Sequence, residues 1–232
     1  MNEELKISIE GLYATFSRYP FRSTMEGCPC CVSVGDKEKL HTKELRFLEE
    51  SDISRYAFKA LTTWGDIDDF KHYLPRIFEL LSTTDFVVDT FVVLKKLTYA
   101  NWTMWPDDEQ KTIQVFLLAW WKDIVENRYF DKAAFIEIYK LVGSIGPLLD
   151  RWKITFTNRT FENYIDFLYD HFHDLKNNRK PFKALDGDSA ENLLQWLLEG
   201  KKMVEEGFFH YERIDNSFAQ KVSNALYVIE HV

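Results

Sequence analysis

Glycine and proline are scarce in this chain, 9 and 6 of 232 residues. Both punctuate turn-rich folds, so their scarcity argues against a β-sandwich and for long helices joined by short links. A basic excess is also missing. The 29 Lys and Arg face 37 Asp and Glu, a formal net charge of −8. Nucleic-acid binding calls for a basic stripe on a basic domain, and an anionic membrane surface selects the same sign. Neither nucleic acid nor membrane is therefore expected as a partner. Net negative charge keeps a chain soluble and would suit a basic partner protein.

Long apolar runs are absent too. The most conspicuous one, Val115 to Trp121, is far too short to span a bilayer. The opening Met1-Asn2-Glu3-Glu4-Leu5-Lys6 is polar and acidic, with no apolar stretch behind it, which is not the pattern of a secretory signal. The expected location is cytoplasmic, where clustered cysteines serve as metal ligands, reactive thiols or packing residues rather than disulfides. The sequons at Asn101 and Asn158 carry no meaning without secretion. Catalytic signatures are missing as well. Gly143-Ser144-Ile145-Gly146 lacks the preceding strand and following lysine of a phosphate loop, and no G-x-S-x-G elbow occurs. Asp186-Gly187-Asp188 begins like a calcium loop, but the later ligand positions do not match.

What is present is apolar surface: 46% hydrophobic and 16% aromatic residues, enough for a well-buried core in one domain spanning residues 1–232. Apolar residues recur at helical spacing almost throughout. Helices are expected over residues 4–19, from Thr42, and from Ser51 or Asp52. The clearest follows Gly65, with Asp66, Asp68 and Asp69 at its N-terminus and Pro75 either kinking it or starting a second helix. Others begin at Thr84 or Asp85, after Trp105-Pro106, at Asp131 up to a stop at Gly146-Pro147, at Phe161, after a Ser189 cap, and at Asp215 or Asn216. Lys153 to Thr157 alternates like a strand but has no partner, so it reads as a connector. The total is about ten helices. Thr63-Trp64-Gly65-Asp66 and Thr103-Met104-Trp105-Pro106-Asp107 open acidic amphipathic helices roughly forty residues apart, the period of HEAT-like hairpins. The expected fold is all-α, with stacked αα-hairpins in a HEAT/armadillo-like right-handed superhelix, or alternatively an irregular helical bundle.

All three cysteines fall in Cys28-Pro29-Cys30-Cys31, inside an irregular stretch over residues 20–36. Cys28 and Cys31 have C-x-x-C spacing, which lets two thiolates meet one Zn²⁺. Cys30 and Cys31, being adjacent, share a metal less easily. Four donors are wanted and no second C-x-x-C exists, so His41 and His72 complete the candidate set Cys28, Cys31, His41, His72, with zinc as the candidate ion. A redox pair of Cys28 and Cys31 and plain buried thiols stay open as alternatives. His72 flanks the apolar stripe of its helix, where hydrogen bonding to Glu79 or to backbone would also account for it. Asp166, Asp170 and Asp174, with His173, form one helix row that reads as a solvated face or a carboxylate site. Trp102 and Trp105 lie in a connection and are candidate exposed anchors for a partner.

The run Thr62-Thr63-Trp64-Gly65-Asp66 through Asp69-Phe70-Lys71-His72-Tyr73-Leu74-Pro75-Arg76-Ile77-Phe78-Glu79-Leu80, following a cysteine cluster, resembles a pattern in uncharacterised bacterial helical proteins. The resemblance covers roughly residues 25–82. It implies that the cysteine loop and the Trp64–Glu79 segment belong together, and it implies no reaction.

Three functional expectations follow. The first is a non-enzymatic protein-binding or scaffold module. The second is a metal- or thiol-dependent protein using Cys28, Cys31 and His72. The third is an acidic immunity- or inhibitor-type protein for a basic partner.

Overall fold

The computed structural model describes residues 1–231, and among them every regular element is helical. The described residues form twelve α-helices and three short 3-10 turns. The chain divides into two compact units, residues 1–120 and 121–232, the division falling inside the long helix α6 (Asp107–Asn127).

In the first unit, α1 (Glu3–Phe16) starts where the Asn2 side chain accepts from the Leu5 amide at 2.9 Å. Leu5, Ile9, Leu12, Tyr13 and Phe16 recur every three or four residues, so α1 has one apolar face, and all five are buried. That face packs on α4 (Ile67–Thr83). Asp66 and Asp69 form a reciprocal capping box at the start of α4, with both amide-to-carboxylate bonds at 3.0 Å. Pro75 neither ends α4 nor begins a new helix; its ring is buried within one continuous element.

Between α1 and α4 come α2 (Val34–His41) and α3 (Glu50–Lys59), and α5 (Thr90–Tyr99) follows. α2 begins within and just beyond the stretch expected to be irregular. The segment from Thr42 holds only a 3-10 turn at Leu45–Phe47. α5 begins six residues later than Thr84, which instead ends α4.

In the second unit, α7 (Lys132–Val142), α8 (Gly146–Arg151) and α9 (Thr160–Lys176) are followed by α10 (Gly187–Glu199), α11 (Lys201–Tyr211) and α12 (Asn216–Glu230). Gly143, at φ +76°, stops α7 in the left-handed conformation. Gly146-Pro147, expected to be a stop, starts α8 instead, because proline suits a helix's first turn. Asp186, not Ser189, caps α10: its carboxylate accepts from the Ser189 amide at 2.7 Å. Helix α9 takes α10 on one side and α12 on another. Phe161, Tyr164, Phe167 and Leu168 of α9 are fully buried, together with Trp121, Phe135 and Trp152.

Residues 153–156 are a connector, as expected. The pairings are mixed: α1 with α4 and α9 with α12 skip along the chain, while α11 with α12, the most extensive, and α2 with α3 are consecutive. A hairpin array pairs consecutive helices. The pairing fits the irregular helical bundle and does not confirm a HEAT-like superhelix. No helix among the described residues is long and apolar enough to cross a membrane.

Candidate metal centre

The cysteine turn is held from both sides. The Cys28 amide donates to the Thr63 carbonyl at 2.8 Å, and the Gly65 amide donates to the Glu26 carbonyl at 2.8 Å. These bonds stitch the loop to the 60–65 turn that leads into α4. In that turn Gly65 sits at φ +70°, and a Cβ there would lie 2.9 Å from Met25 Sδ, so only glycine fits. Met25 and Val32 flank the cysteines and are buried, anchoring both ends of the turn. The Cys31 and Val32 amides return to the Cys28 carbonyl at 2.9 and 3.0 Å, which closes the chain on itself. Immediately afterwards, Ser33 and Asp36 cap α2 reciprocally. Arg55 of α3 donates to the Cys31 carbonyl at 3.0 Å and pairs with Asp36 at 3.1 Å.

This framework leaves the three sulfurs pointing together at the surface. Cys28 Sγ lies 2.8 Å from Cys30 Sγ, and Cys30 Sγ lies 3.6 Å from Cys31 Sγ. All three ligand atoms fall within 4.8 Å of one another, a grouping that can hold a metal ion. None of the three is disulfide-bonded. Packing thiols are normally among the most buried side chains. Cys30 is exposed here, and Cys28 and Cys31 are half-buried, so the packing alternative does not describe them.

The electrostatics separate Cys28 from Cys30. The hydrogen bond from Cys30 holds the Cys28 thiol below its ordinary value. Cys30 is pushed up to about 11 by its bond to Cys28 and then by Cys31. Of these two, Cys28 ionises the more readily, and a metal arriving at the turn must displace the proton that Cys30 keeps.

The two histidines of the expected set lie elsewhere. His72 Nδ1 is 2.8 Å from the Tyr19 carbonyl, and its ring faces Tyr73 and Phe21. It lines a cleft of about 390 Å³ with Glu10, Tyr13, Tyr19, Arg46 and Pro75. There the charged groups are spent on each other, Arg46 meeting both Glu10 oxygens at 2.8 and 2.6 Å. His41 stands edge-on to Phe21, ring centres 4.8 Å apart. Neither histidine joins the sulfur group among the described residues. Cys30 is the residue that sequence reasoning passed over. The spacing rule favours the outer pair, whereas the closed turn brings the Cys30 sulfur to 2.8 and 3.6 Å from those of Cys28 and Cys31.

Trp102 and Trp105 are not exposed. They retain 4% and 6% of their surface, because a 3-10 turn at Trp102–Met104 folds the connection inward and Trp105 Nε1 donates to the Ala100 carbonyl at 3.1 Å. The acidic row on α9 is occupied by a cation: Lys221 Nζ meets Asp166 at 2.8 Å and Asp170 at 3.2 Å.

A buried polar cluster in the first unit also escaped the sequence. Lys71 Nζ lies 2.7 Å from Glu109 Oε2 and donates to Tyr19 Oη at 2.9 Å, while Tyr19 Oη donates to Glu109 Oε1 at 2.6 Å. Lys71 also sits over the Trp105 ring, 4.2 Å from its centre. Burial alone would push the Lys71 ammonium down, but its bonds to Glu109 and Tyr19 reverse this and raise it. The closed geometry makes the cluster a clamp between α4, α6 and the chain after α1. The available signal was positional. Lys71 precedes Leu74, Pro75 and Phe78 at helical spacing, so it sits on the apolar stripe.

No family model, curated protein or solved structure matches this chain. The geometry of the cysteine turn therefore carries the functional reading by itself.

Proposed function

We propose that this protein binds a thiophilic metal ion through Cys28, Cys30 and Cys31, as a binding protein rather than a catalyst. The observation that supports this is the convergence of three sulfurs within 4.8 Å on an outward-facing turn fixed by backbone bonds. Thiolates are soft donors, and a rigid set of three lowers the ordering cost of assembling a site. The donor set replaces the Cys28, Cys31, His41, His72 combination suggested by spacing. The reading of the chain as a protein-binding module draws its anchors from Trp102 and Trp105, and both are buried.

The test is metal content by mass spectrometry on tag-free protein purified without chelator, paired with a native thiol count. About one ion per chain is expected, with the three thiols shielded until a chelator removes it. Cys30→Ser should abolish retention, while His72→Gln should leave it intact. Metal-free protein that also fails to take up added ion, with all thiols reacting at once, would remove the proposal.

A further inference from the structure

The donor set points to an ion that is satisfied by three sulfurs. We infer that the turn takes monovalent copper in trigonal three-sulfur coordination, an inference that rests on the metal-binding reading above. Structural zinc sites are closed by four protein ligands, and the group found here stops at three. The acids on either side do not complete it: Glu26, two residues before Cys28, stands outside the group, and Asp36 accepts from the Ser33 amide at 2.9 Å and the Ser33 hydroxyl at 2.8 Å and pairs with Arg55. His72 is engaged with the Tyr19 carbonyl, and His41 with Phe21. Monovalent copper is a soft ion that thiolates select, and it needs no fourth donor.

The spacing agrees. With metal–sulfur bonds of about 2.3 Å, a trigonal set holds its sulfurs roughly 4 Å apart. Cys30 and Cys31 already stand at 3.6 Å, and Cys28 and Cys30 need only open from 2.8 Å. That opening moves an exposed side chain, Cys30, and leaves the Cys28 amide bond to Thr63 in place.

The step balances without a redox partner. One Cu⁺ and three thiols give a tris-thiolate copper(I) centre of charge −2 and release three protons. Copper that arrives already reduced requires no electron. The outward face of the turn lets the ion enter and leave without unfolding.

The experiment loads the full-length protein anaerobically with cuprous ion, supplied as its acetonitrile complex, and in a parallel arm with Zn²⁺. X-ray absorption then reads the donors, and competition with bicinchoninate reads affinity. The expected result is one copper per chain with three sulfurs at about 2.3 Å and no nitrogen or oxygen. Zinc in the same turn should show an added light-atom ligand from solvent and be displaced by equimolar copper. Cys30→Ser, checked for native helicity by circular dichroism, should fall to two sulfurs and weaken copper by roughly 100-fold or more, since loss of even an outer-shell group costs about 10–100-fold. Copper held by two sulfurs, copper with a fourth protein donor, or an unweakened Cys30→Ser variant would overturn the inference. Zinc held by the three cysteines and not displaced would overturn it while leaving the metal-binding reading standing. Failure to bind either ion would remove both.

Discussion

Replacing Lys71 by methionine tests whether the buried clamp stabilises the first unit as its geometry says. Methionine keeps the length and apolar stem of the side chain and deletes the ammonium. Glu109 is fully buried and has that ammonium 2.7 Å away. At an effective dielectric of 20 the attraction across this distance is about 6 kcal/mol before the cost of desolvating both ions. The net worth of the pair is therefore small. The loss on removing one partner is large, because the other charge is stranded, typically about 3–5 kcal/mol. For a chain of this length each kcal/mol lowers Tm by about 2–4 °C, so Lys71→Met should melt roughly 10 °C lower. Lys71→Met combined with Glu109→Leu removes both charges and should recover most of the loss, to within about 1 kcal/mol of the native chain. Tyr19→Phe, which deletes the hydroxyl bridging the two, should cost about 1–2 kcal/mol. Urea denaturation of the native chain, Lys71→Met, Glu109→Leu and the Lys71→Met/Glu109→Leu pair gives the double-mutant cycle. A loss below about 1 kcal/mol for Lys71→Met, or a double variant as unstable as the single, would refute the argument from stranded charge.

Two further outcomes follow from the packing and the titrating groups. Gly207 lies against the Phe161 ring, and a Cβ there would overlap it. Gly207→Ala should therefore be destabilising by about 2 kcal/mol by denaturant midpoint, overpacking outweighing the roughly 1 kcal/mol of helix propensity it gains; a stabilised variant would show that the ring yields freely. Burial lowers the folded-state values of His72 and His171, the latter also through Lys132. The unfolded chain then binds more protons near and below pH 6.5, so stability should fall as pH drops from about 7 toward 5. His72→Gln with His171→Gln should flatten that slope, and an unchanged slope would count against the assignment.

The sequence exposed those parts of the fold that local chemistry decides. The Asp66–Asp69 start of α4, the Asp131 start of α7 and the Asp215 start of α12 are legible because a carboxylate capping an amide three residues on is a local event. Helix α2 was not, since it buries only Leu40 and carries no stripe to read. Helix α11 hides for a related reason: its buried positions are Val204 and a glycine. The burial of Trp105 beneath Lys71 of another helix, and the order of helix pairing, rest on contacts far apart in sequence. Periodicity contains neither.

The cysteine turn shows the same division at the site itself. Spacing located the sulfur cluster but paired it with histidines that stand apart from it, because sulfur directions are set by the Cys28–Thr63 and Glu26–Gly65 bonds to a turn more than thirty residues away. Those bonds also explain why the cluster persists without a buried sulfur. Met25, Val32 and Trp64 supply the apolar anchoring, each nearly fully buried. Cys30 is left exposed and free of packing duty, so deleting its thiol should disturb ligand chemistry far more than stability. A cysteine kept only for the core would show the reverse. That contrast makes the exposed Cys30, rather than the conventionally spaced Cys28 and Cys31, the position at which binding and folding separate most cleanly.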